Sequence, residues 1–191
     1  MVTVGFAICG SFCTFGAVFT QIEQLVRDGY DIIPIMSYNA CTLDTRFGAA
    51  AEHVARIEHI TGKKVMSTLQ QVEPIGPKNL LDALIIAPCT GNTLAKLSTG
   101  IADTCVTFAA KAHLRNERPV LIGVSTNDAL SAAAKNIGAL QNTKHIYFIP
   151  YRQDDSSSKP NSLVADFSKT KAALEAALKR RQMQPVVLCP K

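Results

Sequence analysis

The stretch Ala83-Leu84-Ile85-Ile86-Ala87 runs without a break into Pro88-Cys89-Thr90-Gly91-Asn92-Thr93-Leu94-Ala95-Lys96-Leu97, and its reading decides the fold. The apolar run shows no polar alternation, which is the habit of a parallel strand buried on both faces. The residues that follow are small or hydroxylic and lead directly into a helical pattern. A buried strand feeding a helix is half of a βαβ unit. The first N–H groups of that helix have no partner inside it and lie at the positive end of its dipole. The junction is therefore a candidate seat for a phosphate or a flat polar ring, with Pro88, Thr90, Gly91, Asn92 and Thr93 as its residues. An ordinary strand-to-helix turn has the same spacing, so spacing alone leaves both readings open.

The alternation continues outward in both directions. Val2–Cys9 reads as a strand, and residues 15–28 read as a helix with Val18, Ile22, Leu25 and Val26 on one face, ended by Gly29. Residues 31–36 form a second strand in which Pro34 predicts an irregularity. A helix from Asp44 or Thr45 through Ile60 is closed by Gly62, and a short strand covers 64–66. Further on come a helix over 103–115, a strand over 119–124, a helix from Asn127 or Asp128 to Ile137, and a strand over 145–149. Residues 151–161 predict a polar loop, 162–182 a C-terminal helix, and 185–188 a tail able to join a sheet edge. The expectation for 1–191 is one α/β domain: an open parallel sheet, Rossmann-like, with helices on both faces. Ligands of such sheets bind beyond the carboxyl ends of the strands. That rule groups the turns at 10–16, 37–45 and 88–93, with 125–128 beside them.

Composition narrows the function classes. The chain is 47% hydrophobic but only 6% aromatic, without Trp, which suits aliphatic strands covered by helices. Its net charge of +5 is mild, and no basic stripe interleaves with aromatics, so a nucleic-acid role is not expected. Six cysteines include no Cys-x-x-Cys pair and no histidine at zinc-ligand spacing, so no metal site is expected. The chain opens on a strand rather than a basic leader, and no apolar run is long enough to span a bilayer. These features read as a cytoplasmic protein.

The remaining turns carry weaker signals. Cys9-Gly10-Ser11-Phe12-Cys13-Thr14-Phe15-Gly16 is neither a dinucleotide fingerprint nor a P-loop. Gly10 still lets a backbone approach a phosphate, and Ser11 offers a hydroxyl, or else simply caps a helix. Ser37-Tyr38-Asn39 places polar groups where the second strand ends. His53 and His59 do not share a helix face, and neither a Ser/His/Asp grouping nor a carboxylate pair can be argued. The catalytic residues stay unassigned, and chemistry carried by a cofactor is the expectation.

The segment 88–97, followed by Gly100-Ile101-Ala102-Asp103, resembles the Pro-Ala-Ser-Ala-Asn-Thr…Gly-Ile-Ala-Asp segment of the flavoprotein family. That family contains FMN-dependent cysteine decarboxylases, phosphopantothenoylcysteine decarboxylase and flavin prenyltransferase. The Gly10-Ser11 and Ser37 turns resemble it too, over roughly residues 2–150. The resemblance implies FMN as cofactor, bound by Gly10, Ser11, Ser37, Pro88, Thr90, Gly91, Asn92, Thr93, Ser125 and Asn127. Its phosphate would lie against Gly10, Ser11 and the 88–93 backbone. Two departures stand against cysteine decarboxylation. Pro74-Ile75-Gly76-Pro77 occupies the place of the decarboxylases' His, and only Asn127 matches their Pro-x-Met-Asn-x-x-Met-Trp clamp.

Residues 111–116, 125–131, 146–150 and 159–166 resemble a branch of that family found in sporulating bacteria. This implies an oxidoreductase component of the mother cell that aromatises a small dicarboxylate. It would act with a nicotinamide-binding partner protein, NAD(P) sitting only on the partner, and would form a homo-oligomer. Arg46, Lys96, Lys111 and Arg115 are the candidate cations for such a dianion. A non-catalytic partner without flavin and a stand-alone decarboxylase or prenyltransferase remain as alternatives.

Overall fold

The computed structural model describes residues 1–189. The chain runs β1 (Thr3–Ile8), α1 (Phe15–Arg27), β2 (Asp31–Met36), α2 (Tyr38–Thr42), α3 (Ala50–Thr61) and α4 (Leu69–Val72). It continues through β3 (Ala83–Cys89), α5 (Gly91–Thr99), α6 (Cys105–Arg115), β4 (Val120–Thr126) and α7 (Ala134–Gln141). It closes with β5 (Ile146–Phe148), β6 (Tyr151–Asp155), β7 (Lys159–Ala165) and α8 (Thr170–Leu178).

One sheet collects all these strands in the order β2-β1-β3-β4-β7-β6, with β5 also paired to β4. The pairs β1–β2, β1–β3, β3–β4 and β4–β5 are parallel, as the continuous apolar runs require. Every residue of β3 is buried, and Phe6, Ile8, Ile85, Ile86 and Ile122 form the centre of the core. Each such side chain contributes roughly 1.5–3 kcal/mol by leaving water. Helices cover both faces: α1 and α8 pack on β3, while α6 packs on β2, β3 and β4 together with α4 and α5.

The structure corrects several sequence expectations. Pro34 causes no irregularity, because β2 is an edge strand whose register with β1 is unbroken. The strand expected at 64–66 is a single bridge, Ile35 to Met66. β3 extends past Ala87 to Cys89 and accommodates Pro88 where its register with β4 shifts. The helix expected from 44 or 45 begins at Ala50, because Thr45–Gly48 closes a tight turn of its own. Asp44 still serves that helix, its Oδ1 accepting the Ala50 N–H at 2.8 Å. The helix expected from 127 begins only at Ala134.

The largest correction lies beyond Pro150. Residues 151–161 are not a loop: Tyr151–Asp155 and Lys159–Ala165 form an antiparallel hairpin, and β7 pairs antiparallel with the end of β4. The C-terminal helix is correspondingly short, Thr170–Leu178 rather than 162–182. The tail does join an edge, through Tyr151 N–H to Val186 O at 3.0 Å and Leu188 N–H to Tyr151 O at 2.8 Å.

Candidate functional site

β1, β3 and β4 are neighbours in the sheet, so the turns leaving their carboxyl ends lie together. Cys9 N–H donates to Pro88 O at 3.1 Å, tying the first turn to β3. Ser11 Oγ lies 2.8 Å from Ser125 Oγ, tying the same turn to β4 across 114 residues of sequence. The Gly10–Cys13 turn, Thr90 and the Ser125–Asn127 turn line one cleft of about 400 Å³. Arg46, Phe47 and Lys159 complete its wall.

The structure resolves the two readings of Ser11. Its side chain caps no helix; it is committed to the Ser125 hydroxyl instead. Ser37 is an N-cap, its Oγ accepting the Ala40 N–H at 3.3 Å, and it does not line the cleft. Thr90 caps α5 by accepting the Thr93 N–H at 3.4 Å, and donates to Thr93 Oγ1 at 3.2 Å. Thr93 is buried beneath it and donates to Cys9 Sγ at 3.3 Å. A chain of hydroxyls therefore runs from the cleft floor into the core.

Pro88 lies buried within β3, and Asn92 is exposed but outside the cleft wall. Gly91 faces the β4 turn. A Cβ there would sit 2.6 Å from Asp128 Oδ1 and 2.8 Å from Thr126 Oγ1, so any side chain would displace that carboxylate and hydroxyl. Thr126 in turn donates to Asp128 Oδ1 at 2.6 Å. A carboxylate beside the start of α5 is favoured by the helix dipole. Gly10 is under no such demand, since a Cβ there would meet nothing closer than 3.4 Å.

The thiols under the site are chemically quiet. Burial pushes Cys9 up to about 11, despite its Thr93 contact, and Cys105 up to about 12. Burial raises Cys89 as well, reinforced by the neighbouring Cys9. A protonated buried thiol is a small hydrophobe rather than a nucleophile. Among the described residues no His, Cys, Asp and Glu cluster could hold a metal, and no helix is long and apolar enough to cross a membrane.

Among the described residues the charged groups lining the cleft are Arg46 and Lys159, with no carboxylate in the wall. Arg46 Cζ sits 4.9 Å from the Phe47 ring centroid. Its loop is backed by His53, which lies 5.0 Å edge-on to Phe15 and whose Nε2 finds no hydrogen-bond partner among the described residues. Burial lowers the His53 pKa, so the ring stays neutral at pH 7. Gly48 has φ +129°, and a Cβ there would come within 2.9 Å of that ring. The other candidate cations lie elsewhere. Lys96 pairs with Asp103 at 2.8 Å, while Lys111 and Arg115 line a separate pocket of about 200 Å³ on α6. A larger groove, about 660 Å³, lies between α1 and the hairpin; none of the sequence-predicted site residues lines it.

Sequence reasoning missed Lys159, Phe12, Cys13, Phe47 and Thr126 as lining residues. Phe12, Cys13 and Thr126 flank singled-out positions and were within reach of the turn rule. Lys159 was not, because nothing local marks its segment as a strand that folds back on β4.

Comparisons with known proteins bear on the family and the fold. The family profile described as Flavoprotein matches residues 1–190. The chain is 45% identical to the B component of dipicolinate synthase of Bacillus subtilis (strain 168) over 185 residues, covering 97% of this chain and 92% of that protein. The crystal structure of the same component from Bacillus halodurans superposes with a TM-score of 0.91 at 43% identity, covering 100% of this chain and 97% of that one. DmrB from Burkholderia xenovorans in complex with FMN, described as a cubic protein cage for redox transfer, shares the fold. Its TM-score is 0.69 at 18% identity, over 93% of this chain and 96% of that one.

Proposed function

This chain belongs to the flavoprotein family, and from that premise we propose that it is the flavin-binding B component of a dipicolinate synthase. It acts with a nicotinamide-binding partner, the A component, to oxidise dihydrodipicolinate, or its hydroxy-tetrahydro precursor, to dipicolinate during sporulation. NAD(P) belongs to that partner, and FMN to the cleft described above. One observation carries this reading: the Gly10–Cys13 turn, Thr90 and the Ser125–Asn127 turn surround a single hollow whose wall, among the described residues, holds no carboxylate.

The residues present fit FMN. The hydroxyls of Ser11, Thr90 and Ser125 offer hydrogen bonds, and the Phe12 and Phe47 rings offer apolar faces. The 3₁₀ turn Phe12–Thr14 and α5 both start here, with first N–H groups that have no partner inside their helices. When bound, FMN supplies an acceptor for the hydride equivalent that leaves as the ring becomes aromatic. The chain's own residues bind and orient. Among the described residues no carboxylate or imidazole lines the cleft, and this chain's part is to hold the substrate. Self-association is part of the same reading, since the cage-forming DmrB shares this fold.

Titration of the purified chain with FMN, followed by flavin fluorescence, tests the cofactor. Saturable quenching, with or without the nicotinamide-binding partner, is expected. Unchanged fluorescence in both conditions removes the flavin from the proposal. Dihydrodipicolinate oxidation should require both proteins when each is omitted in turn. The Asp128 carboxylate against Gly91 favours one second reading, in which the start of α5 is already neutralised and the chain organises its partner without flavin. A colourless complex that is fully active only with both chains present would select it.

A further inference from the structure

We propose that Arg46 and Lys159 form a two-point clamp for the carboxylates of the substrate, selecting a dicarboxylate over a monocarboxylate. This rests on the dicarboxylate part of the proposed function and not on its flavin part. The two residues are far apart in sequence, yet line the same cleft, and among the described residues no acidic side chain lines it with them.

Each cation is held by its own local structure. Arg46 sits on a turn closed by Thr45 N–H to Gly48 O at 3.1 Å and Gly48 N–H to Thr45 O at 3.0 Å. Phe47 N–H donates to Thr45 Oγ1 at 3.1 Å, stiffening that turn further. The guanidinium lies over Phe47, which orients its planar fork. Among the described residues it makes no ion pair or hydrogen bond, so all its donors are available to a ligand. Lys159 opens β7, its register fixed opposite Asp155. Its ammonium bonds Asp154 at 2.8 Å, which keeps it charged and uses one of its three donors. It lines the same cleft as the Gly10–Cys13 turn.

A dicarboxylate can engage both cations, whereas a monocarboxylate engages one. Charge-assisted hydrogen bonds at such partly exposed positions are each worth about a tenfold change in affinity.

The test titrates the full chain by calorimetry in metal-free buffer, with and without FMN. Pyridine-2,6-dicarboxylate is the probe and pyridine-2-carboxylate its one-armed control. Wild type should bind the dicarboxylate about tenfold more tightly than the control. Arg46→Gln and Lys159→Gln should each abolish that preference, while Arg46→Lys retains most of it and thermal melting stays unchanged. Equal binding of the two acids by wild type, binding of neither, or a preference that survives both substitutions overturns the clamp. So does loss of FMN affinity with dicarboxylate binding intact, which would assign the cations to the phosphate. Failure of wild type to bind FMN defeats only the flavin reading, because the acid titration without FMN still decides the clamp.

Discussion

β3 and the β6–β7 hairpin belong to one sheet, yet opposite forces make them strands. All of Ala-Leu-Ile-Ile-Ala-Pro-Cys in β3 is buried, and extended backbone lets every side chain leave water between two helical layers. β6 reads Tyr-Arg-Gln-Asp-Asp, exposed toward its end, and β7 starts with exposed Lys-Pro-Asn. Composition gives those segments no reason to extend. They do so because β7 finds the unpaired end of β4, with Ser125 opposite Val164 and Thr126 opposite Leu163. Burial selects the first kind of strand and edge pairing the second. The cleft sits where the two kinds meet, since β4 supplies both the parallel core and the Ser125–Thr126 edge.

That contrast can be broken most directly by truncation. Ile86→Ala, at a fully buried position of β3, should lower unfolding free energy by about 3–4 kcal/mol in denaturant titration. Leu163→Ala in the hairpin, 8% exposed, should cost at most about 2 kcal/mol. If the hairpin substitution costs as much, the hairpin is core and the distinction fails.

A second comparison uses pH. His113 on α6 is 1% exposed, with Nε2 3.1 Å from Pro119 O, and burial pushes its pKa down to about 4. The unfolded chain, with a His pKa of about 6.5, binds more protons between those values. Stability is therefore present in full above about 6.5 and falls as pH drops toward 4, by roughly 3 kcal/mol for this residue. The acid limb measured by urea midpoints should be shallower in His113→Gln, whose amide still reaches Pro119. An identical slope would assign the limb to other groups.

The smallest effect tests the seam. A double-mutant cycle of Ser11→Ala and Ser125→Ala should give a coupling of about 1 kcal/mol, as expected for one hydroxyl pair at 2.8 Å. A coupling near zero would mean that the first turn and the hairpin-bearing end of β4 are energetically independent.

Legibility follows the same division. The buried strands, α1 and α6 were readable because periodicity reports burial, and the grouping of turns 10–16 and 88–93, with 125–128 beside them, followed from strand order in a parallel sheet, whereas the 37–45 turn grouped with them supplies no residue to the cleft wall. Within that group, single residues were not separable. Thr90 and Gly91 are adjacent, yet one lines the cleft and the other backs onto Asp128. Ser11 and Ser37 looked alike as hydroxyls after strands, yet Ser37 caps α2 while Ser11 reaches Ser125. Arg46 was one of four equivalent cations until the turn at 45–48 carried it into the wall.

The amino-acid order alone determined the parallel core, its helical cover and the end of the sheet at which the turns of β1, β3 and β4 gather, because each depends on local apolar pattern and on strand handedness. Only the tertiary structure decided which side chains enter the hollow. That choice depends on partners distant in sequence: the β4 edge that turns polar residues 151–165 into a hairpin, and the hydroxyl of Ser125 that draws Ser11 away from a helix cap.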